Sequence, residues 1–331
     1  MIFHQVSINK FFGKLFRNDT MLIDLKTGTE TKLNNELTLS CAVGNFDGVH
    51  IGHQKLLNEA KNLCGADKSA AWTFKLHPRI CMGDSSAKRL TSVDQKLEQF
   101  ALAGLDYAIL EDFLSIRNLS PVDFVQKMLY QEYHVRHGVC GYNFRFGKNA
   151  SGTETDFKQY FEELGASATI VDPVILNDGT VVSSSAIRKF IEEGNIKEAN
   201  RFLGHPFSIK LPVTEGRKLG RKIGIPTINQ VFPEYYAIPR HGVYVCSCKV
   251  EGKMHLGVSN VGIRPTIDPS TTVVNCETHI IDYSGWLYGK IVDVQFHDFL
   301  RPETRFSSID ELVNQIHKDI ETARTYAPFD D

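Results

Sequence analysis

Gly44-Asn45-Phe46-Asp47-Gly48-Val49-His50-Ile51-Gly52-His53 decides how the first half of this chain folds. The stretch follows an apolar run over 37–43 (LTLSCAV) that reads as a buried strand, and it precedes 54–63, where apolar residues recur at helical spacing. Strand, glycine-rich turn and helix in that order put unpaired N–H groups and the positive end of a helix dipole at the turn, a setting that attracts phosphate. Glycines at 44, 48 and 52 let a ligand approach the backbone. His50 and His53 flank the helix start, where imidazoles can donate to phosphate oxygens. Two other readings of these residues stay open. H-x-x-H is half of a zinc site, although no third ligand lies at suitable spacing, and a histidine can equally be a satisfied structural group.

Outward from this turn the alternation continues. Residues 70–74, 107–110 and 135–140 predict further strands, and 92–104, 121–130 and 156–164 predict helices, with Ser120 as an N-cap and Pro121 in the first turn. Parallel strands need crossover connections, so this pattern implies an α/β domain whose doubly wound parallel sheet is covered on both faces. Residues 185–203 are helical with a break at Gly194, and beyond them the rhythm changes. Segments 207–213, 243–250, 254–259, 276–282 and 291–299 read as strands, with hairpin turns expected at Glu251-Gly252 and around Ser284-Gly285. Ser308 caps a final helix over 309–326. A small antiparallel barrel with a C-terminal helix follows, and the expected domains are 1–204 and 205–331.

Composition narrows the function classes. Of 331 residues, 42% are hydrophobic and 23% charged, the balance of a globular chain with a real core. The net charge is −2, divided evenly on either side of Gly204/His205, which argues against a polybasic nucleic-acid-binding domain. No apolar run approaches the ~18 residues of a membrane span. Residues 1–18 mix Phe11, Phe12 and Phe16 with Lys10, Lys14 and Arg17, so no secretory signal is expected, and Arg and Ser are too scarce for a good transit peptide. The seven cysteines form no C-x-x-C and read as reduced thiols of a cytoplasmic protein. Self-association stays open.

A second phosphate-handling candidate is Glu215-Gly216-Arg217-Lys218-Leu219-Gly220-Arg221-Lys222-Ile223-Gly224-Ile225-Pro226-Thr227-Ile228-Asn229. Basic residues interleaved with Gly216, Gly220 and Gly224 make either a cationic loop suited to phosphate or a solvated surface turn. It is not a Walker P-loop, because G-x-x-x-x-G-K-[ST] is absent.

The first motif resembles the H-x-G-H nucleotidylyltransferases and, more closely, the opening of the bacterial FAD synthetases. Val182-Ser183-Ser184-Ser185-Ala186-Ile187-Arg188 resembles their I-S-S-T-x-I-R element, and Gly141-Tyr142-Asn143-Phe144-Arg145-Phe146-Gly147 their G-x-D/N-F-x-F-G loop. Thr73-Phe74-Lys75-Leu76-His77-Pro78 departs from F-x-P-H-P at Leu76. The second stretch resembles the riboflavin kinases, with Pro226-Thr227-Ile228-Asn229 for P-T-A-N. That likeness continues through Asn260-Val261-Gly262-Ile263-Arg264-Pro265-Thr266, Glu277-Thr278-His279, Leu287-Tyr288-Gly289-Lys290 and Arg301-Pro302-Glu303-Thr304-Arg305-Phe306.

The resemblance to the bifunctional riboflavin kinase/FAD synthetase family implies two reactions. Riboflavin and ATP would give FMN, and FMN and ATP would give FAD and pyrophosphate. It implies that His50 and His53 stabilise charge in adenylyl transfer, that Ser184, Ser185 and Arg188 hold the leaving phosphates, and that Asn45, Asp47 and Asn143 orient nucleotide or flavin. In the barrel it implies ATP phosphates over Gly216, Gly220 and Gly224, Mg²⁺ at Thr227 with Asn229, and Glu277 as base. Arg301 would close over the flavin with its loop, Glu303 and Phe306 included, and no tightly bound metal is expected. Flavins and ATP are the expected partners, with neither nucleic acid nor membrane. The alternatives are a single-activity enzyme and a flavin-binding regulator without turnover.

Overall fold

The structure is a computed structural model that describes residues 20–32, 36–216, 219–264 and 273–326. Residues 1–18, Arg217, Lys218, Pro265 and Thr266, all read above, lie outside the described residues. The chain forms two compact units, 1–87 with 92–182, and 88–91 with 183–331.

In the first unit β1 (Met21–Asp24), β2 (Thr29–Thr31), β3 (Leu39–Val43), β4 (Lys68–Phe74), β5 (Tyr107–Glu111), β6 (Val135–Gly141) and β9 (Ser167–Val171) form one sheet in the order β2-β1-β5-β4-β3-β6-β9. β5, β4, β3, β6 and β9 run parallel, and β1 is antiparallel to β5. A two-residue pair, β7 (Arg145–Phe146) and β8 (Gly152–Thr153), lies apart from it. β3 is buried at all five positions because both of its faces are covered. Ala42 points to one core, where it meets Leu57 and Ala60 of α1 (Ile51–Asn62) and Phe100 of α2 (Val93–Leu102). Leu39, Cys41 and Val43 point to the other, with Phe157 and Phe161 of α3 (Glu154–Glu163). The helix expected over 121–130 starts at Pro121 under Ser120 but continues as a π-helix, Phe124–Glu132, a winding the sequence does not mark.

The second unit opens with α4 (Ser184–Glu193) and α5 (Ile196–Leu203), separated by Gly194 at φ 81°. α5 joins the barrel through Asn200, whose amide donates to the Phe296 carbonyl at 2.8 Å and accepts the Phe207 N–H at 2.7 Å. Six strands follow: β10 (Phe207–Pro212), β11 (Ile228–Val231), β12 (Gly242–Val250), β13 (Lys253–Arg264), β14 (Val273–Ile280) and β15 (Ile291–Arg301). Their antiparallel order is β10-β15-β12-β13-β14-β11. A bridge between Thr214 and Asn229 nearly closes the barrel, and the buried Gln230 amide stitches the seam by donating to the carbonyls of Leu211 (2.7 Å) and Val292 (2.8 Å). Ser308 caps α6 (Ile309–Arg324), which packs Ile320 and Ala323 against Val243, Val245 and Val258.

Glu251 (φ 51°) and Gly252 (φ 85°) make the expected two-residue hairpin between β12 and β13. The second expected hairpin is corrected: β14 and β15 do not pair, because β13 and β12 stand between them. Residues 281–290 form a crossover link, with Leu287 buried beneath it.

One outward-facing side chain of β15 makes acid stability legible. His297 Nε2 lies 2.8 Å from Ser247 Oγ of β12, and burial pushes the ring's pKa from 6.5 down to about 4. The unfolded chain binds this proton near 6.5 while the folded one resists it until about 4, so stability is lost as pH falls through that window. Allowing for the partial exposure of the ring, the loss is about 2 kcal/mol at the acid end. Thermal melts between pH 7 and 4 should fall less steeply for His297→Gln than for the wild type; parallel curves would show that the histidine is not the source.

Candidate active sites

β3 delivers the chain to the C-terminal edge of the parallel sheet where strand order passes from β4 and β5 on one side to β6 and β9 on the other, the place where open α/β sheets leave a crevice. The turn there is tightly wound. Phe46 (φ 49°) and Val49 (φ 39°) both take left-handed backbone, with Gly48 at φ 85° between them. Such a conformation is costly for a β-branched valine and persists only where the surroundings over-determine it. Here they do: Phe46 and Val49 are fully buried, and the Phe46 ring meets Phe100 and His53 edge-on at 5.4 and 5.2 Å. Lys96 of α2, also buried, donates to the Asn45 carbonyl at 2.6 Å, to Thr73 Oγ1 at 3.3 Å and to the Phe74 carbonyl at 3.4 Å. The Thr73 hydroxyl reaches the same Asn45 carbonyl at 3.0 Å.

His50 is the N-cap of α1. Its Nδ1 accepts the His53 N–H at 3.2 Å, which assigns the ring proton to Nε2. The two imidazoles stack with centroids 3.6 Å apart and planes 16° from parallel. Burial first, then the neighbouring His50 and the Lys96 charge, hold the His53 pKa well below the usual histidine range, so the ring is neutral at pH 7. His53 Nδ1 and Asn45 Oδ1 are buried with no hydrogen-bond partner among the described residues. Orphaned polar atoms are uncommon in folded proteins, and two beside one turn fit a site completed by a polar ligand.

Asp47 is buried in the same turn, and Asn143 is exposed just past the end of β6, the strand next to β3. His77 Nδ1 accepts the Arg79 N–H at 3.2 Å and caps a one-turn helix, Pro78–Cys81, so Leu76 does not prevent that stretch from turning. Ser184 and Ser185 form the first turn of α4 under Ser183, whose Oγ accepts the Ala186 N–H at 3.2 Å, and Arg188 follows one turn on. These three belong to the second compact unit, His50 and His53 to the first.

In the barrel, Asn229 of β11 lies opposite Glu277 of β14, and Thr227 stands just before the first residue of β11. Asn275, buried and two residues before Glu277, joins them: its Nδ2 donates to Asn229 Oδ1 at 2.9 Å and to Glu277 Oε1 at 3.2 Å. Sequence reasoning passed over Asn275 and Lys96, and the only signal for either is a polar residue placed within a run that packs. Gly216 packs against Asn229 of β11, and Gly220 against the segment that leads into that strand. A Cβ at Gly216 would lie 2.5 Å from Asn229 Nδ2, one at Gly220 would lie 2.3 Å from the Ile225 carbonyl, and residues Leu219–Lys222 form a helical turn. Gly224 takes φ 79°.

Arg301, at the end of β15, donates from Nε and Nη2 to the Asp319 carboxylate of α6 and from Nη1 to the Pro302 carbonyl, the shortest contact being 2.7 Å. Its guanidinium lies 5.8 Å from the Phe306 ring centre. Glu303 accepts from Asn260 Nδ2 at 3.2 Å and lies over Gly262, where a Cβ would be 2.1 Å from Oε1. The loop expected to cover the flavin is thus clamped to α6 and β13. Thr227 and Asn229 offer hard, uncharged oxygen donors, a set suited to a magnesium ion carried chiefly by ATP phosphates. Among the described residues no group of three His, Cys, Asp or Glu side chains is placed to hold a metal, and no helix is long and apolar enough to cross a membrane.

A turn with two orphaned polar atoms on a doubly wound sheet and a linked asparagine–glutamate face on a small barrel stand as two separate polar sites. Residues 32–186 match the FAD synthetase family and residues 203–327 the riboflavin kinase family. The bifunctional riboflavin kinase/FMN adenylyltransferase of Listeria monocytogenes is 35% identical over 86% of this chain and 91% of its own length. The enzyme of the same name from Bacillus subtilis is 34% identical over 86% and 91%. The crystal structure of a macrolide-efflux protein from Streptococcus pneumoniae superposes with a TM-score of 0.79 at 28% identity, over 92% of this chain and 98% of that one. The chain belongs to the bifunctional riboflavin kinase/FMN adenylyltransferase family.

Proposed function

We propose that this chain phosphorylates riboflavin to FMN in residues 205–331 and joins FMN to the AMP moiety of ATP in residues 1–204. The observation that carries the reading is the presence of two separate polar constellations: stacked His50 and His53 at a strained helix start, and the linked Asn229, Asn275 and Glu277 of the barrel, with Thr227 just before β11. In adenylyl transfer an FMN phosphate oxygen attacks the α-phosphorus of ATP and pyrophosphate leaves. No protein nucleophile is needed, only in-line placement and donors aimed at the developing charge. The neutral imidazoles supply those donors, with Asn45, Asp47 and Asn143 orienting the reactants and Ser184, Ser185 and Arg188 holding the leaving phosphates.

In the kinase reaction the riboflavin 5′-hydroxyl oxygen attacks the γ-phosphorus of ATP, the bond from that phosphorus to the β,γ-bridging oxygen breaks, ADP leaves, and the hydroxyl proton passes to Glu277. Mg²⁺, held by Thr227 and Asn229 when ATP is bound, would neutralise phosphate charge. Gly216, Gly220 and Gly224 let the loop lie close to the phosphates. Arg301 acts through Asp319 as the anchor of the flavin loop, since its guanidinium nitrogens are engaged within the protein. All seven cysteines are free thiols, in keeping with a reducing cytoplasm. Purified protein given riboflavin and MgATP should yield FMN and then FAD on chromatography. Unchanged riboflavin, or FMN that never becomes FAD, would overturn the two-reaction reading.

A further inference from the structure

A buried ammonium is costly unless acceptors replace its water, so Lys96 must be held by what surrounds it. It is 5% exposed, and the shortest bond shown for it, 2.6 Å, goes to the Asn45 main-chain carbonyl. That length is characteristic of a charge-assisted bond, the strong kind. The Thr73 hydroxyl, from β4, reaches the same oxygen at 3.0 Å, so donors from two different elements converge on one peptide group. In a trans peptide the carbonyl and the following N–H point opposite ways. Drawing the Asn45 carbonyl toward α2 therefore turns the Phe46 N–H to the other side and sets the left-handed start of the turn, Phe46 at φ 49°. Four residues further along that constrained turn stands His50, the cap of α1.

We infer that Lys96 is a positioning residue for adenylyl transfer: its ammonium locks the Asn45–Phe46 peptide, and through it the strained turn that presents Asp47 and His50. The inference rests on the proposed role of that turn. Lys96 does not touch the reacting atoms; it fixes the backbone that carries the groups that do. Displacing such groups by about 1 Å is enough to cost on the order of 100-fold in rate.

Lys96→Met keeps the length of the side chain and removes its donors. Its kcat for FAD formation from FMN should fall about 100-fold, with the KM for ATP changing less than about 3-fold and riboflavin phosphorylation unaltered. Thr73→Val, which removes the second donor to the same carbonyl, should cost about 5-fold. Because both act on one peptide, the double variant should be no slower than Lys96→Met within about 2-fold. Losses that multiply, a change confined to KM, or a rate per folded molecule that stays normal while only the melting temperature drops would each overturn the inference. Should Lys96→Met not fold, Lys96→Gln, which keeps an amide donor, carries the same cycle with Thr73→Val. A normal rate in Lys96→Met beside an inactive His53→Ala refutes Lys96 alone; a fully active His53→Ala refutes the role of the turn beneath it.

Discussion

His53→Ala should slow conversion of FMN to FAD by about 1000-fold while riboflavin phosphorylation by the same protein continues at its normal rate. The size follows from what the ring does. Pyrophosphate departure places negative charge on oxygens of the α- and β-phosphates, and a preorganised donor in a water-poor site is worth several kcal/mol there. His53 is neutral before substrate arrives, because burial, the stacked His50 and the Lys96 charge all oppose its protonation. In the proposed role it therefore acts as an N–H donor, and FAD formation at saturating ATP should show no loss as pH rises from about 7 to 8, where an imidazolium would be losing its proton. His50→Asn separates two roles of its neighbour. Asparagine keeps an N-cap acceptor for the His53 N–H but lacks the Nε2 donor, so α1 should stay stable while FAD formation falls. Loss of both activities in a folded His53→Ala protein, or FAD formation at the wild-type rate, would sink the assignment.

Much of this arrangement was legible in the sequence because period and punctuation agreed. β3, α1 and the glycine turn between them announce themselves through an apolar run, a helical repeat and three glycines within ten residues. Five of the six barrel strands were visible for the same reason, and Glu251-Gly252 named its own hairpin. Short elements were not. β1 and β2 span four and three residues, too few to display alternation, and β11 has only four. The wrongly expected hairpin after β14 shows a different limit: turn chemistry at Ser284-Gly285 is local, whereas pairing is decided by the closure of the barrel. At the candidate sites, the sequence points to residues with a motif around them and passes over residues marked only by a long-range partner. Lys96 meets Asn45 across 51 positions and Asn275 meets Asn229 across 46. Arg301 stands in a motif, but its partner Asp319 lies 18 residues on, in a helix whose pattern says nothing of that pair. The left-handed Phe46 and Val49 were equally invisible, because nothing in their side chains favours that backbone.

Glu277→Gln is the reciprocal case: riboflavin phosphorylation should drop by about 1000-fold, and FAD should still form when FMN is supplied. The substitution is nearly isosteric. Asn275 Nδ2 donates to Glu277 Oε1, and a glutamine carbonyl at that place can accept the same bond, so the Asn229–Asn275 contact and the strand register are preserved. What is removed is the charge, and with it the capacity to take a proton. A carboxylate is a weak base for an alcohol in water, but phosphoryl transfer passes through a loose transition state in which proton removal can trail bond change at phosphorus. In the proposed reaction Glu277 contributes by receiving the proton and by holding the 5′-hydroxyl in line, which together set the expected loss. The effect should fall on kcat, with the KM values for riboflavin and ATP within about 3-fold, since the glycine loop and the clamped Arg301–Asp319 pair are untouched. Near-normal FMN formation in Glu277→Gln would mean that the proton leaves by another route. Loss of FAD formation as well, in a protein whose melting curve is unchanged, would mean that the two reactions are not divided between the two constellations.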